Sequence, residues 1–324
     1  MRTVMETAGE TVRLEAPSPW AQRALHELPT GPATGNMRTA TIVVRTGRGR
    51  VPISSPGRPL GRGIWVDRGV VRFRSACASG VDLSVRASDE TVEVAADWQP
   101  TAKEAVLHGL LRHRARLLAA DVVLHYPAMW RAGWRGRAPL HAAALVVRDR
   151  GVLVVGPSGV GKTTLARAEV AAGASLVSDN LVVCDGETVW GVLEPIRAED
   201  GDGPRTTHGR RLVSVGQRPT RHTSVDLVLV LRRDGVRTSR RTLTPSEAAR
   251  EIVASTYAAG ELRRYWGFTA ALAAGTGRGP AHPDVGRVAE QVCAGATCLE
   301  LHLGDRPVAR IGDVIDTLEA LPWT

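Results

Sequence analysis

The chain has 324 residues, 43% of them hydrophobic, which is enough length and apolar content for two domains or one large domain with additions. Its 34 glycines and 19 prolines promise many turns, yet stay below the share expected of a disordered chain. The formal charge is +9, no run of about 18 apolar residues suggests a membrane span, and the opening "MRTVMETAGETVRLE" lacks the apolar core of a signal peptide.

Residues 1–36, punctuated by "APSPW" and "LPTGPATG", are expected to be a variable lead-in. A β-rich (α+β) domain over 37–135 follows. There "TATIVVRT", "GIWVDRGVVRFRS", "VDLSVRAS" and "TVEVAAD" alternate with the period of a small antiparallel sheet up to Asp97. The pattern then turns helical, opened by a capping box of Thr101 and Glu104 and predicted to run as one helix to Leu124. Val106, Leu110, His113 and Leu117 form its apolar stripe, and "YPAMWRAGWRGRAPL" is expected to break it.

Residues 136–324 are predicted to form an α/β domain. "LHAAALVV" and "GVLVV" read as strands joined by the turn "RDRG", and a helix is expected from Lys162 to about Ala172. "SLVSDNLVVCDGETVWG" reads as a strand, a turn at Asp185-Gly186 and a second strand. A loop dense in arginine spans Glu194 to Arg221, and "VDLVLVLRR" is an almost unbroken apolar run of a buried strand. A capping box of Thr244 and Glu247 with Pro245 starts the next helix. Helices at Glu261–Ala274, Asp284–Ala294 and Val308–Leu321, with the strand "CLELHL", complete the domain.

The stretch "GPSGVGKT", Gly156 to Thr163, fits the phosphate-loop pattern at every required position, between a buried strand and a helix. Gly156, Gly159 and Gly161 free the backbone to turn successive N–H groups onto a phosphate, with Pro157, Ser158 and Val160 completing the loop. Lys162 is one of only two lysines, and its ammonium suits point contact with the outer phosphates. Thr163 is placed to ligate Mg²⁺, with Thr164 beside it on the same helix start. A guanine clamp of the Asn-Lys-x-Asp type is impossible, because Lys162 is the only lysine after position 103. ATP is therefore the expected nucleotide.

From Leu140 to about Arg197 the order is histidine on a strand, turn, phosphate loop, helix, then Asp179 after an apolar run. This order resembles the catalytic domain of HPr kinase/phosphorylase. It is also similar to the shorter HPr-kinase-like enzymes of peptide natural-product pathways, such as the lasso-peptide kinases. The resemblance implies a P-loop domain of the HPr-kinase type and an ATP- and Mg²⁺-dependent kinase acting on an alcohol group. It makes Asp179 the general base toward the acceptor hydroxyl, and places His141 near that carboxylate to tune it or touch the acceptor. By the same resemblance Thr163, Asp179 and Glu194 are candidate metal ligands and Arg197 a phosphate contact. The sequence departs from the family at Asp179-Asn180, where the bifunctional enzymes carry two adjacent acids, and its "EPIRAED" only echoes their longer signature. Reverse phosphorolysis and HPr as acceptor are therefore not carried over. A role for Asp179 as an outer Mg²⁺ partner, with water as nucleophile, stays open.

The expected acceptor is a Ser or Thr hydroxyl of a peptide or protein, in a tailoring or regulatory role; a metabolite acceptor, or a nucleotide-driven regulatory module, is the alternative. Arg197, Arg205, Arg210 and Arg211 are candidates for holding an acidic acceptor, or a solvated face. Eight tryptophans and two phenylalanines offer few stacking platforms, and no DNA-binding module is recognisable, so no nucleic-acid partner is expected. Cys77, Cys184, Cys293 and Cys298 form no C-x-x-C pair and are read as reduced packing thiols of a cytoplasmic protein with no membrane partner. Whether the chain forms a homo-oligomer is left open.

Overall fold

Strand-forming alternation begins almost at the first residue. In the computed structural model, which describes residues 2–15, 18–25, 28, 40–51, 57–198, 201, 203–205, 210–213, 220–233, 239–304 and 310–319, Arg2–Thr7 (β1) and Glu10–Glu15 (β2) form a hairpin. Its two-residue turn is Ala8-Gly9, with φ of 55° and 69°. Two positive φ values in a two-residue loop are the hairpin geometry that matches strand twist. Alanine rarely adopts it, which hides the turn in the sequence. The segment expected as a lead-in thus begins with two strands, and Val4, Val12 and Leu14 are buried; residues 16–17, 26–27 and 29–36 of it lie outside the described residues.

The chain divides into two units, the first comprising Met1–Gly136, Arg197–Ser214 and Glu261–Pro283, the second Arg137–Ile196, Val215–Gly260 and Asp284–Thr324. In the first, β1 and β2 join β3 (Ile42–Thr46), β4 (Arg58–Gly61), β5 (Ile64–Asp67), β6 (Val70–Phe73), β7 (Val81–Ala87) and β8 (Val92–Trp98). The eight strands lie in the order β1-β2-β3-β8-β7-β6-β5-β4. The pairs β2–β3 and β3–β8 are parallel, so the sheet is mixed rather than the small antiparallel one expected.

Before Gly136 this unit also carries the helices α1 (Pro19–Leu25), α2 (Ala102–Leu110), α3 (Arg112–Ala120) and α4 (Tyr126–Gly133). The capping box at Thr101 and Glu104 is present. The single helix expected to Leu124 is instead broken at Leu111 (φ −117°, ψ 46°), so α2 and α3 share no continuous face. Val106 and Leu110, expected in an apolar core, stay 67% and 77% exposed. A π-helical turn over Asp121–His125 then leads straight into α4, whose second residue, Pro127, has no N–H to give to that turn. The expected break at Tyr126 does not occur.

From Arg137 the chain lays down β9 (Ala138–Val147), β10 (Arg150–Val155), α5 (Lys162–Ala171), β11 (Ser175–Ser178), β12 (Leu181–Cys184) and β13 (Thr188–Gly191). It gives the short pair β14 (Arg197–Ala198) and β15 (Arg211–Leu212) to the first unit. The second unit resumes with β16 (His222–Ser224), β17 (Leu227–Arg233), β18 (Ser239–Thr242) and α6 (Pro245–Ala258). Helix α7 (Leu262–Thr276) again belongs to the first unit, and α8 (Val285–Gly295), β19 (Thr297–Leu303) and α9 (Ile311–Glu319) close the second. The sequence places α7 with the phosphate-loop domain, but its aromatic face packs elsewhere. Phe268 stacks on Phe73 at 4.8 Å between centroids, and Tyr265 meets Tyr126 edge-on at 5.7 Å. A Cβ at Gly275 would lie 2.3 Å from Val71, so glycine permits this close approach of helix to sheet.

The second unit is a mixed α/β structure of nine strands in the order β16-β13-β12-β9-β10-β17-β19-β18, with β11 also on β9. β17 runs parallel to both β10 and β19, and Leu227–Leu231 are buried throughout. The one strand predicted over "SLVSDNLVV" is two, β11 and β12, interrupted at Asp179-Asn180. Among the described residues no helix is long and apolar enough to cross a membrane.

Candidate functional site

Strand register gathers the site. Val155, the last residue of β10, pairs with Ala142 of β9, so the loop opening at Gly156 emerges beside His141. On the other edge of β9, Ser178 pairs with Ala144 and Leu181 with His141. The Asp179-Asn180 interruption therefore falls opposite the same stretch of β9. Three sequence-distant segments end together because β9 accepts β10 on one edge and β11 and β12 on the other.

The loop has the conformation its glycines allow. Gly156, Gly159 and Gly161 have φ of 144°, 85° and 117°. A Cβ at Gly156 would lie 2.8 Å from the Leu231 carbonyl oxygen, whereas one at Gly159 would meet nothing within 4 Å. Pro157, Ser158 and Gly159 are exposed, Val160 is buried beneath them, and Thr164 is exposed on the first turn of α5. Gly161 caps α5 without a side chain, leaving the helix N-terminus and its unpaired N–H groups to an anion. Three glycines at positive φ, open space above Gly159 and an uncapped helix start fit a phosphate tail.

Lys162 is only 6% exposed. Its Nζ donates to Gly156 O at 2.7 Å and Pro157 O at 3.2 Å, and lies 3.0 Å from His141 Nε2. An ammonium has three donors and no acceptor, so toward a charged Lys162 the His141 ring would accept at Nε2. The histidine is fixed in turn by its backbone N–H, which donates to Thr256 Oγ1 of α6 at 3.2 Å. The His141 ring thus stands at the phosphate-loop lysine, on the strand that also faces the Asp179 turn.

Thr163 Oγ1 donates to Asp179 Oδ2 at 3.3 Å, and Asp179 is buried to 6% exposure. The next residue, Asn180, donates through Nδ2 to Glu194 Oε2 at 2.7 Å. A threonine hydroxyl joined to a buried carboxylate offers two oxygens suited to a hard divalent cation. Glu194 is linked to this pair through the Asn180 amide. Arg197 sits in β14, paired with Leu212, in the first unit together with Arg205, Arg210 and Arg211. Residues 206–209 and 214–219 of that arginine-rich segment lie outside the described residues.

Arg233 belongs to the site and escaped the sequence reading. It is the last residue of β17, the strand parallel to β10, and its Nε donates to Val160 O at 3.4 Å. Its Nη2 would lie 3.4 Å from a Cβ on Gly161, so the guanidinium rests against the phosphate loop. Among so many arginines its type carries no signal. Its position does: the carboxyl end of a parallel strand beside the loop strand is where open α/β sheets bind ligands.

The four cysteines are free thiols, three of them buried, and burial pushes Cys184 up to about 12. The Cys298 thiol donates to Cys293 O at 3.6 Å.

No protein-family model matches the sequence. No curated protein matches it either. Among solved structures, the Hpr(Ser) kinase/phosphatase from Coxiella burnetii is similar over 56% of this chain and 88% of that one, with a TM-score of 0.30 and 15% identity.

Proposed function

We propose that the protein is an ATP- and Mg²⁺-dependent phosphotransferase acting on a hydroxyl group, preferentially a Ser or Thr of a peptide or protein. The observation that carries this reading is the pair of hydrogen bonds that joins His141 to Lys162 and Thr163 to Asp179 at one phosphate loop. A loop alone would bind nucleotide; a buried carboxylate tied to its threonine adds a base.

When bound, ATP would supply the phosphoryl group, held by the amides of the Gly156–Thr163 loop and by Lys162, with Mg²⁺ on Thr163 and Asp179. Lys162 stands buried against the loop, and His141 positions it. Asp179 would orient the acceptor hydroxyl and take its proton as that oxygen bonds to the terminal phosphorus and the bond from phosphorus to the ADP oxygen breaks, ADP being the leaving group. Arg233 offers a fixed guanidinium where charge develops on the transferred group. Glu194, through Asn180, steadies the Asp179 turn.

The test is incubation with labelled ATP and Mg²⁺ against separate peptide and metabolite pools. Label in the peptide fraction is expected. Label confined to metabolites would overturn the peptide acceptor, and release of free phosphate alone would overturn transfer itself.

A further inference from the structure

A second candidate site lies wholly within the first unit, where α1, α2 and α3 border a cavity of about 240 Å³. Ala24 and Ala119 are buried at its base, and the short residues Ala105, Gly109 and Ala115 line it nearer the surface. Gly109 is unusual among them. It sits within α2, has no positive φ, and a Cβ there would meet nothing within 4 Å. Gly109 stands in the last turn of α2, two residues before the break at Leu111, and adds no side chain to the cavity wall.

The rim has a definite chemistry. Arg23, Arg112 and Arg116 border the cavity with His108. Trp20 and Trp98 supply flat apolar walls, and Trp98 is 41% exposed. The volume lies below the roughly 300–1,000 Å³ of small-molecule pockets, so it suits a side chain or two of a larger partner better than a free cofactor. A second copy of this +9 chain is a poor match for three guanidinium groups. We infer that this cavity is a docking site for an acidic peptide segment, which places a carboxylate among the arginines and a neighbouring apolar side chain between the tryptophans. Charge complementarity and the short side chains between the tryptophans and arginines of the lining carry the assignment. It goes beyond the phosphotransferase reading and stands or falls on binding alone.

The experiment titrates the full-length protein, by tryptophan fluorescence and calorimetry, with three synthetic peptides of one length. These are Leu/Glu-rich, its Leu/Gln counterpart and its Leu/Lys counterpart. Saturable binding of the Glu peptide is expected, weakening with added salt. The Arg23→Ala/Arg112→Ala variant should weaken it about tenfold or more, the loss expected of one charge-assisted hydrogen bond. Gly109→Leu, with room for its side chain, should obstruct the cavity and abolish binding while circular dichroism and the unfolding midpoint are retained. Equal binding of the Gln peptide, or undiminished binding by a folded Gly109→Leu protein, overturns the proposal. Displacement of the Glu peptide by inorganic phosphate at equal concentration, or tighter association with anionic lipid vesicles than with the peptide, also overturns it.

Discussion

Alanine at Gly156 and alanine at Gly159 should have sharply different consequences, although both glycines have positive φ. At Gly159 the new Cβ meets nothing within 4 Å, so the cost is the backbone conformation alone, about 1–2 kcal/mol. At Gly156 the same kind of strain, about 1–3 kcal/mol, is joined by a Cβ 2.8 Å from Leu231 O and 3.2 Å from Val160 Cγ1. The Leu231 carbonyl belongs to β17, which is paired with β10 on one side and β19 on the other and cannot easily retreat. Overpacking of that kind adds about 1–3 kcal/mol, giving about 2–6 kcal/mol for Gly156→Ala. Native-state hydrogen exchange of the β10 and β17 amides reads the loss locally, which matters in a chain with two units. Equal protection of these amides in the two variants, or greater loss in Gly159→Ala, would refute the reasoning.

Other outcomes follow from named contacts. Lys162→Met keeps the buried volume but removes the charge, and should weaken MgATP binding about tenfold or more in calorimetry. Arg233→Ala should lower kcat by about 10²–10³, as for loss of one donor to developing charge, with a smaller effect on MgATP affinity; parallel loss of both would mark a merely structural arginine. Glu247 is held down to about 2 by the backbone and hydroxyl of Thr244 and by Arg241, below its ordinary 4.5. Its contribution to stability is therefore present above about pH 4.5 and disappears as pH falls toward 2, so Glu247→Gln should narrow its gap to the wild type across that window. Thermal unfolding at several pH values checks this.

Local chemistry was the part most open to sequence reading. The loop, the helix leaving it and both capping boxes depend on residues within a few positions of one another, and they stand where the spacing puts them. The structure also brings His141, Lys162, Thr163 and Asp179 together. What the sequence hid was long-range. Nothing local marks Ala8 as a turn residue, so β1 and β2 passed for a lead-in. The assignment of α7 to the first unit rests on Phe73 and Tyr126, far away in sequence, which its aromatic face chose over the nearer strands. Helical period alone implied a covered face on α2, and the break at Leu111 removed it. Arg233 became visible only when β17 was seen beside β10.

The central claim is that Asp179 serves a hydroxyl acceptor at a nucleotide held by this loop. The most direct measurement compares the wild type with Asp179→Asn, which keeps the side-chain volume but cannot take a proton. MgATP binding is followed by calorimetry, and added phosphate on the acceptor by intact mass. The account predicts that the variant still binds nucleotide and adds no phosphate. An Asp179→Asn protein that modifies the acceptor as fast as the wild type would contradict it.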